Sequence, residues 1–162
     1  MMAKSKSHTQ GTSMSHHTSS KKLPKVKWLS RTVLWGPYLA LTLSEDELNS
    51  VFSQLGAEQD AHKYSTPCCV TLTKPRGMTS KLACVIYLPN VIDFHLSELM
   101  GIIVHECEHV KQELFDMMGE KHPGKETEAY AIQCISQTIF SELLRRVKFD
   151  SKNYAVKINK IK

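Results

Sequence analysis

The sequence lacks the features of a membrane or exported protein. No apolar run reaches the roughly 20 residues that a membrane-spanning helix needs. The first 22 residues are rich in Ser, Thr, His and Lys and contain no apolar segment, so they do not form a secretory signal peptide. The composition therefore predicts no contact with a membrane.

The sequence also lacks a disulfide framework. Its five cysteines are odd in number, and their spacings match neither a set of disulfides nor a CxxC metal pattern. We predict free thiols that pack as small apolar side chains in a reduced, intracellular setting. The cysteines are Cys68, Cys69, Cys84, Cys107 and Cys134.

Acidic residues are almost absent from the two ends of the chain. Residues 1–27 contain six Lys and no acid, whereas 28–147 contain fifteen acids against ten Lys or Arg, within a net charge of +5. We predict a disordered basic tail over 1–25, one folded domain over 26–148 and a basic C-terminal tail over 149–162. Such tails could contact nucleic acid weakly. The sequence does not, however, show the basic surface with interspersed aromatic residues that is typical of a nucleic-acid-binding protein.

Hydrophobic periodicity predicts an α+β domain in which a small sheet of about three strands packs on helices. Ser44 and Glu47 form a capping box that opens a short helix, and Gly56 ends it. The predicted strands are 32–43, 68–73, 82–88 and a short terminal one within 154–158; the long helices are 96–118 and 125–147. The apolar stripe of the last helix is predicted at Ala129, Ile132, Ile135, Ile139, Leu143 and Val147.

The stretch HECEH, residues 105–109, carries the chemistry of this sequence. His105 and His109 are four apart, so they stack on one face of a helix and can bind one tetrahedral zinc ion. Glu106 lies roughly 100° around the helix from His105, where it can act as a general base on a water molecule. The pattern predicts a zinc-dependent hydrolase.

A catalytic zinc ion takes three protein ligands, so a third ligand is expected elsewhere. Glu126 and Glu128 open the second long helix, but they lie about 200° apart on it and cannot both face one metal. His122, in the loop before that helix, is a further candidate as ligand or as a donor to a substrate oxyanion.

HECEH followed by ETEAY resembles the gluzincin pattern, H-E-x-x-H and then E-x-x-A-x. The stretch HECEHVKQ with GKETEAYAIQ is also similar to small metallopeptidases encoded by tailed bacteriophages and prophages, over residues 95–145. The resemblance implies a minimal zincin-like fold and one zinc ion per chain, with Glu126 as the third ligand. It further implies a peptide or protein substrate and the host cytoplasm, or a virion, as location.

The sequence departs from the gluzincin pattern at Tyr130, where many members have an Asp that supports a zinc-binding histidine. The Tyr130 hydroxyl could give this support or steady a tetrahedral oxyanion. Two functions therefore remain open. The chain is either a zinc peptidase with Glu106 as general base, or a non-catalytic structural or regulatory protein whose fold zinc stabilises.

Overall fold

The computed structural model describes residues 24–29, 37–79, 81–150 and 156–158. Its elements in chain order are β1 (Tyr38–Thr42), α1 (Glu45–Leu55), β2 (Cys68–Thr73), β3 (Leu82–Tyr87), α2 (Leu96–Met118), α3 (Lys125–Arg146), β4 (Val147–Phe149) and β5 (Val156–Ile158). The predicted α+β class is confirmed. Residues 1–23 of the predicted N-terminal tail, and residues 32–36 of the first predicted strand, lie outside the described residues.

A three-stranded mixed sheet with the order β1-β3-β2 forms the centre of the fold. β1 runs parallel to β3, and β2 runs antiparallel to β3. The predicted hairpin of 68–73 and 82–88 is thus confirmed. Every residue of β3 is buried, because helices cover both faces of the central strand.

Two apolar clusters occupy the two faces of the sheet. On one face α1 packs with Leu48, Val51 and Phe52 against Val70 and Val85. The opposite face packs against α2 and α3. This second cluster includes Leu39, Leu41, Cys84, Ile86, Leu99, Ile103, Cys107, Val110, Ile135, Ile139 and Leu143. The sheet is therefore the middle layer of three.

The cysteines behave as the sequence predicts. All five are free thiols, and Cys84 and Cys107 are fully buried between the sheet and α2. Burial, opposed in part by a hydrogen bond with Ser136, raises the pKa of the Cys107 thiol to about 12. These two thiols are consequently protonated, apolar components of the core.

The long helices match their predicted bounds closely. α2 spans Leu96–Met118, and Gly119 ends it with a left-handed φ of 72°. α3 stops at Arg146, because Val147 is already extended and begins β4. The prediction of Ala129 in the buried stripe was wrong: Ala129 is exposed and Ala131 is buried instead, since the stripe continues backwards from Ile135 by one turn.

The C-terminal region contributes to the core beyond residue 148. β4 pairs antiparallel with β5, and Val156 of β5 is buried in the cluster under α2 and α3. The described fold therefore extends to Ile158, within the stretch that the charge pattern assigned to a tail. Among the helices that the structure describes, none is both long and apolar enough to cross a membrane.

Arg146 ties α3 to the opposite layer of the fold. Its guanidinium donates a hydrogen bond to the Leu41 carbonyl of β1 at 3.0 Å and forms an ion pair with Glu47 of α1. The other carboxylate oxygen of Glu47 accepts the Leu43 N–H at 2.8 Å. One nearly buried charge pair thus joins three elements at the end of β1.

Replacing Arg146 with Met should lower the free energy of unfolding by about 2–3 kcal/mol, because it removes hydrogen bonds made by a charged group and leaves the Leu41 carbonyl unpaired. Urea denaturation measures this loss. Arg145→Met is the matched control: Arg145 is largely exposed and pairs with Glu142, which also binds Lys27, so its loss should be smaller. Equal losses in the two variants would contradict the stabilising role of Arg146.

Candidate metal centre

The packing of α2 on the sheet fixes which of its side chains face outward. Five fully buried residues form its inward stripe: Leu99, Ile103, Cys107, Val110 and Leu114. His105 and His109 lie on the opposite side of the helix and are exposed. The apolar stripe therefore presents both histidines at the surface, one turn apart.

The two imidazole rings meet edge to face. Their centroids are 4.8 Å apart with an interplanar angle of 89°, and the two Nε2 atoms are 3.2 Å apart. A tetrahedral zinc ion with nitrogen ligands at about 2.0–2.1 Å holds two such nitrogens about 3.3 Å apart. The spacing of the pair therefore fits two ligands of one zinc ion, and it also fits a hydrogen bond between neutral rings.

A chain of polar contacts orients His109. Gln112 donates from Nε2 to the Glu108 carboxylate at 3.4 Å, so its Oε1 faces the His109 Nδ1 atom at 3.3 Å. Lys111 binds the same Glu108 carboxylate at 2.7 Å. Because Oε1 can only accept, it favours a proton on Nδ1 and leaves the His109 Nε2 lone pair free.

Glu106 occupies the border between the inward stripe and the outward face. Its side chain is only 6% exposed. Within the described residues, no hydrogen bond or ion pair reaches its carboxylate. Among the described residues the only fully buried polar side-chain atom without a partner is Thr42 Oγ1, so the Glu106 carboxylate keeps contact with solvent.

A pocket of about 370 Å³ opens at this border. His105 and Glu106 form its polar end. The remaining lining residues are apolar or lack a side chain: Pro67, Phe94, Gly101 and Ile102. Pro67 directly precedes β2, so the pocket lies between α2 and the start of an edge strand.

The start of α3 stands apart from this pocket. Glu128 lies 3.9 Å from Lys111, and Lys111 is about 200° around α2 from His109. Glu126 lies about 180° around α3 from the buried Ile135, so it faces outward and is exposed. Of the two acids, Glu128 is the one on the face that packs toward α2.

Tyr130 and His122 are likewise at the surface. Tyr130 is 62% exposed, and within the described part of the chain neither a hydrogen bond nor a ring contact joins it to a histidine. His122 lies in the loop before α3, where its backbone N–H donates to Glu120. In the described part of the chain, no hydrogen bond, ion pair or ring contact links either residue to the HECEH side chains.

The structure thus brings His105 into contact with His109 and places His105 and Glu106 in one pocket, and it does not bring Glu126 to them. In the ranges that the structure describes, no group of three or more His, Cys, Asp or Glu side chains is arranged to hold a metal ion. The histidine pair fits zinc as two ligands, and a third ligand has to approach it.

Sequence reasoning did not identify Gln112, Glu108 or Lys111 as residues that support His109. A signal was present, because Gln112 follows His109 by three positions and Glu108 by four. Side chains at these spacings meet on a helix surface. Reading the polar residues around HECEH by helical spacing would have identified the support of His109.

Comparison of this chain with protein-family models, with curated proteins and with solved structures found no match. The gluzincin resemblance is carried by HECEH and ETEAY alone.

In the metal-free protein, His109 should hold its proton on Nδ1, because Gln112 provides the acceptor. Gln112→Ala should shift the tautomer population toward Nε2–H and disturb the contact with His105. Long-range ¹H–¹⁵N NMR of the imidazoles at mildly alkaline pH measures both populations.

Gln133→Ala, on the exposed face of α3, is the control and should leave both tautomers as they are. A His109 tautomer that is the same in the wild type and in Gln112→Ala would contradict this orientation.

Proposed function

We propose that this chain is a zinc-dependent peptidase. The observation that carries the proposal is the pair of histidine nitrogens 3.2 Å apart on the helix that also holds Glu106, whose side chain is little exposed and has no hydrogen-bond or ion-pair partner among the described residues. His105 and Glu106 line one pocket, and His109 lies one turn further along the same helix. They are the groups that metal-assisted hydrolysis of a peptide bond requires.

In the proposed reaction Glu106 is the general base. His105 and His109 would hold the zinc ion, which would supply polarisation of the scissile carbonyl and a lowered pKa of the attacking water. The Glu106 carboxylate accepts a proton from that water as its oxygen attacks the carbonyl carbon. The C–N bond then breaks, and Glu106 returns the proton to the leaving amine.

The third ligand is proposed as Glu126, following the gluzincin resemblance, with Glu128 as the alternative that already lies on the α2-facing side of α3. The roles implied for Glu126 and Tyr130 require the first turns of α3 to rotate or shift toward the histidine pair. Their outward faces in the described conformation do not meet it. Metal binding itself would supply the driving force for such a shift.

The position of β2 supports an extended peptide as substrate. β2 is an edge strand, because its only neighbour among the described strands is β3. Its unpaired backbone groups can bind a substrate segment as an added strand. Since Pro67 lines the pocket, a peptide on this edge would pass close to Glu106.

Zinc titration by calorimetry tests the metal site. The wild type should bind one zinc ion per chain, and His105→Ala or His109→Ala should abolish tight binding. The control is His95→Ala, whose histidine lies at the start of α2. The metal-site proposal fails if either HECEH variant binds zinc as tightly as this control does.

Paired substitutions identify the third ligand. Loss of an outer residue at a metal site weakens binding by about 10–100-fold, so loss of a ligand should cost at least about 100-fold. Glu126→Gln should show this loss and Glu128→Gln should not. The reverse result would assign the ligand to Glu128, and no loss in either variant would leave the His105–His109 pair without a carboxylate from α3.

Glu106→Gln separates the peptidase from a zinc-stapled structural protein. The amide cannot accept the proton, so kcat should fall by about 10²–10⁴-fold while zinc remains bound. Digestion of a broad peptide library, followed by mass spectrometry, measures the activity, and the zinc titration is repeated on the variant. Equal inertness of the zinc-loaded wild type and Glu106→Gln would leave the structural role as the function.

A further inference from the structure

Gly101 occupies a position where the described chain does not need a glycine. It lies in the interior of α2, one turn before His105, where glycine costs about 1 kcal/mol of helix stability relative to alanine. A Cβ atom placed on Gly101 would meet no neighbouring atom within 4 Å. Neither a close approach of other elements nor a left-handed backbone explains this residue.

The space over Gly101 belongs to the pocket that Glu106 and His105 share. Phe94 and Ile102 are half-buried beside it, and Pro67 faces it from the start of β2. Apart from His105 and Glu106, the side chains that line the pocket are therefore apolar. An apolar group of a ligand placed here would remove apolar surface from water next to Glu106.

We propose that this pocket holds a bulky apolar side chain, aromatic or branched aliphatic, of the substrate residue next to the scissile bond. The absence of a side chain at Gly101 leaves space for the substrate side chain, because any larger residue at this position would extend into the pocket. The proposal rests on the proposed peptidase function, because the pocket lies beside the scissile bond only if Glu106 and His105, which line it, take part in the reaction.

Kinetics on matched peptides test the proposal. Cleaved sequences are first found by digesting a peptide library with the zinc-loaded wild type. Peptides that differ only in Phe, Leu or Ala at the residue next to the cleaved bond are then compared. Wild-type kcat/KM should be at least about 10-fold higher for Phe or Leu than for Ala, because several methylene equivalents are buried.

Filling the pocket should remove this preference. Gly101→Leu should lower kcat/KM for the Phe and Leu peptides at least about 10-fold more than for the Ala peptide, so that the preference of the wild type disappears. Gly101→Ala should raise the thermal stability and give a smaller loss on the Phe peptide. Gln133→Leu, which adds the same side chain to an exposed site on α3, should change none of these values.

A binding measurement keeps this proposal distinct from the peptidase reaction. Backbone ¹H–¹⁵N shifts of Gly101 and Ile102 are followed while the Phe or Ala peptide is titrated into zinc-loaded Glu106→Gln protein. The Phe peptide should shift them at lower concentration, and adding Gly101→Leu should abolish the difference.

The two proposals fail in different ways. Binding that prefers Phe and is blocked by Gly101→Leu, without hydrolysis by the wild type, would overturn the peptidase and support the apolar pocket. Hydrolysis with equal kcat/KM for the Phe and Ala peptides, or a preference that Gly101→Leu does not change, would overturn the pocket proposal alone.

Discussion

The packing of α2 across the sheet is the constraint on which the candidate site depends. Leu99, Ile103 and Val110 are fully buried against β3 and α3, so the rotation of the helix about its axis is fixed. With that rotation set, His105 and His109 must face outward and Glu106 must lie at the border. A rotation of the helix by one position would bury a histidine and expose Cys107. The geometry of the HECEH side chains therefore follows from apolar burial several ångströms away.

Support for the histidines comes from α2 itself. Gln112, Glu108 and Lys111 form a connected polar surface that leads from His109 toward the contact with Glu128 on α3. The contact of Gln112 with His109 lies within α2 and therefore needs no contribution from α3.

Local patterns predicted most of the fold. The capping residues Ser44 and Gly56, the all-apolar strand at 82–87 and the end of α2 at Gly119 were readable because each depends on neighbours in sequence. HECEH was readable for the same reason. The buried stripe of α3 was readable at Ile135, Ile139 and Leu143 but not in the first turns, where Ala131 and not Ala129 is buried. Packing with α2 decides which face of those turns is buried, and local sequence does not contain that information.

The pocket and its polar end are built from one continuous stretch of chain. Pro67, Phe94, Gly101, His105 and Glu106 all belong to the β2-β3-α2 unit, whereas Arg146 bonds to a residue 105 positions away in sequence. Contacts of low sequence separation cost little loop-closure entropy, so this unit can assemble before the two ends of the chain meet. The pocket thus belongs to one supersecondary module, whereas Arg146 fixes the end of the chain that follows this module to the strand that precedes it.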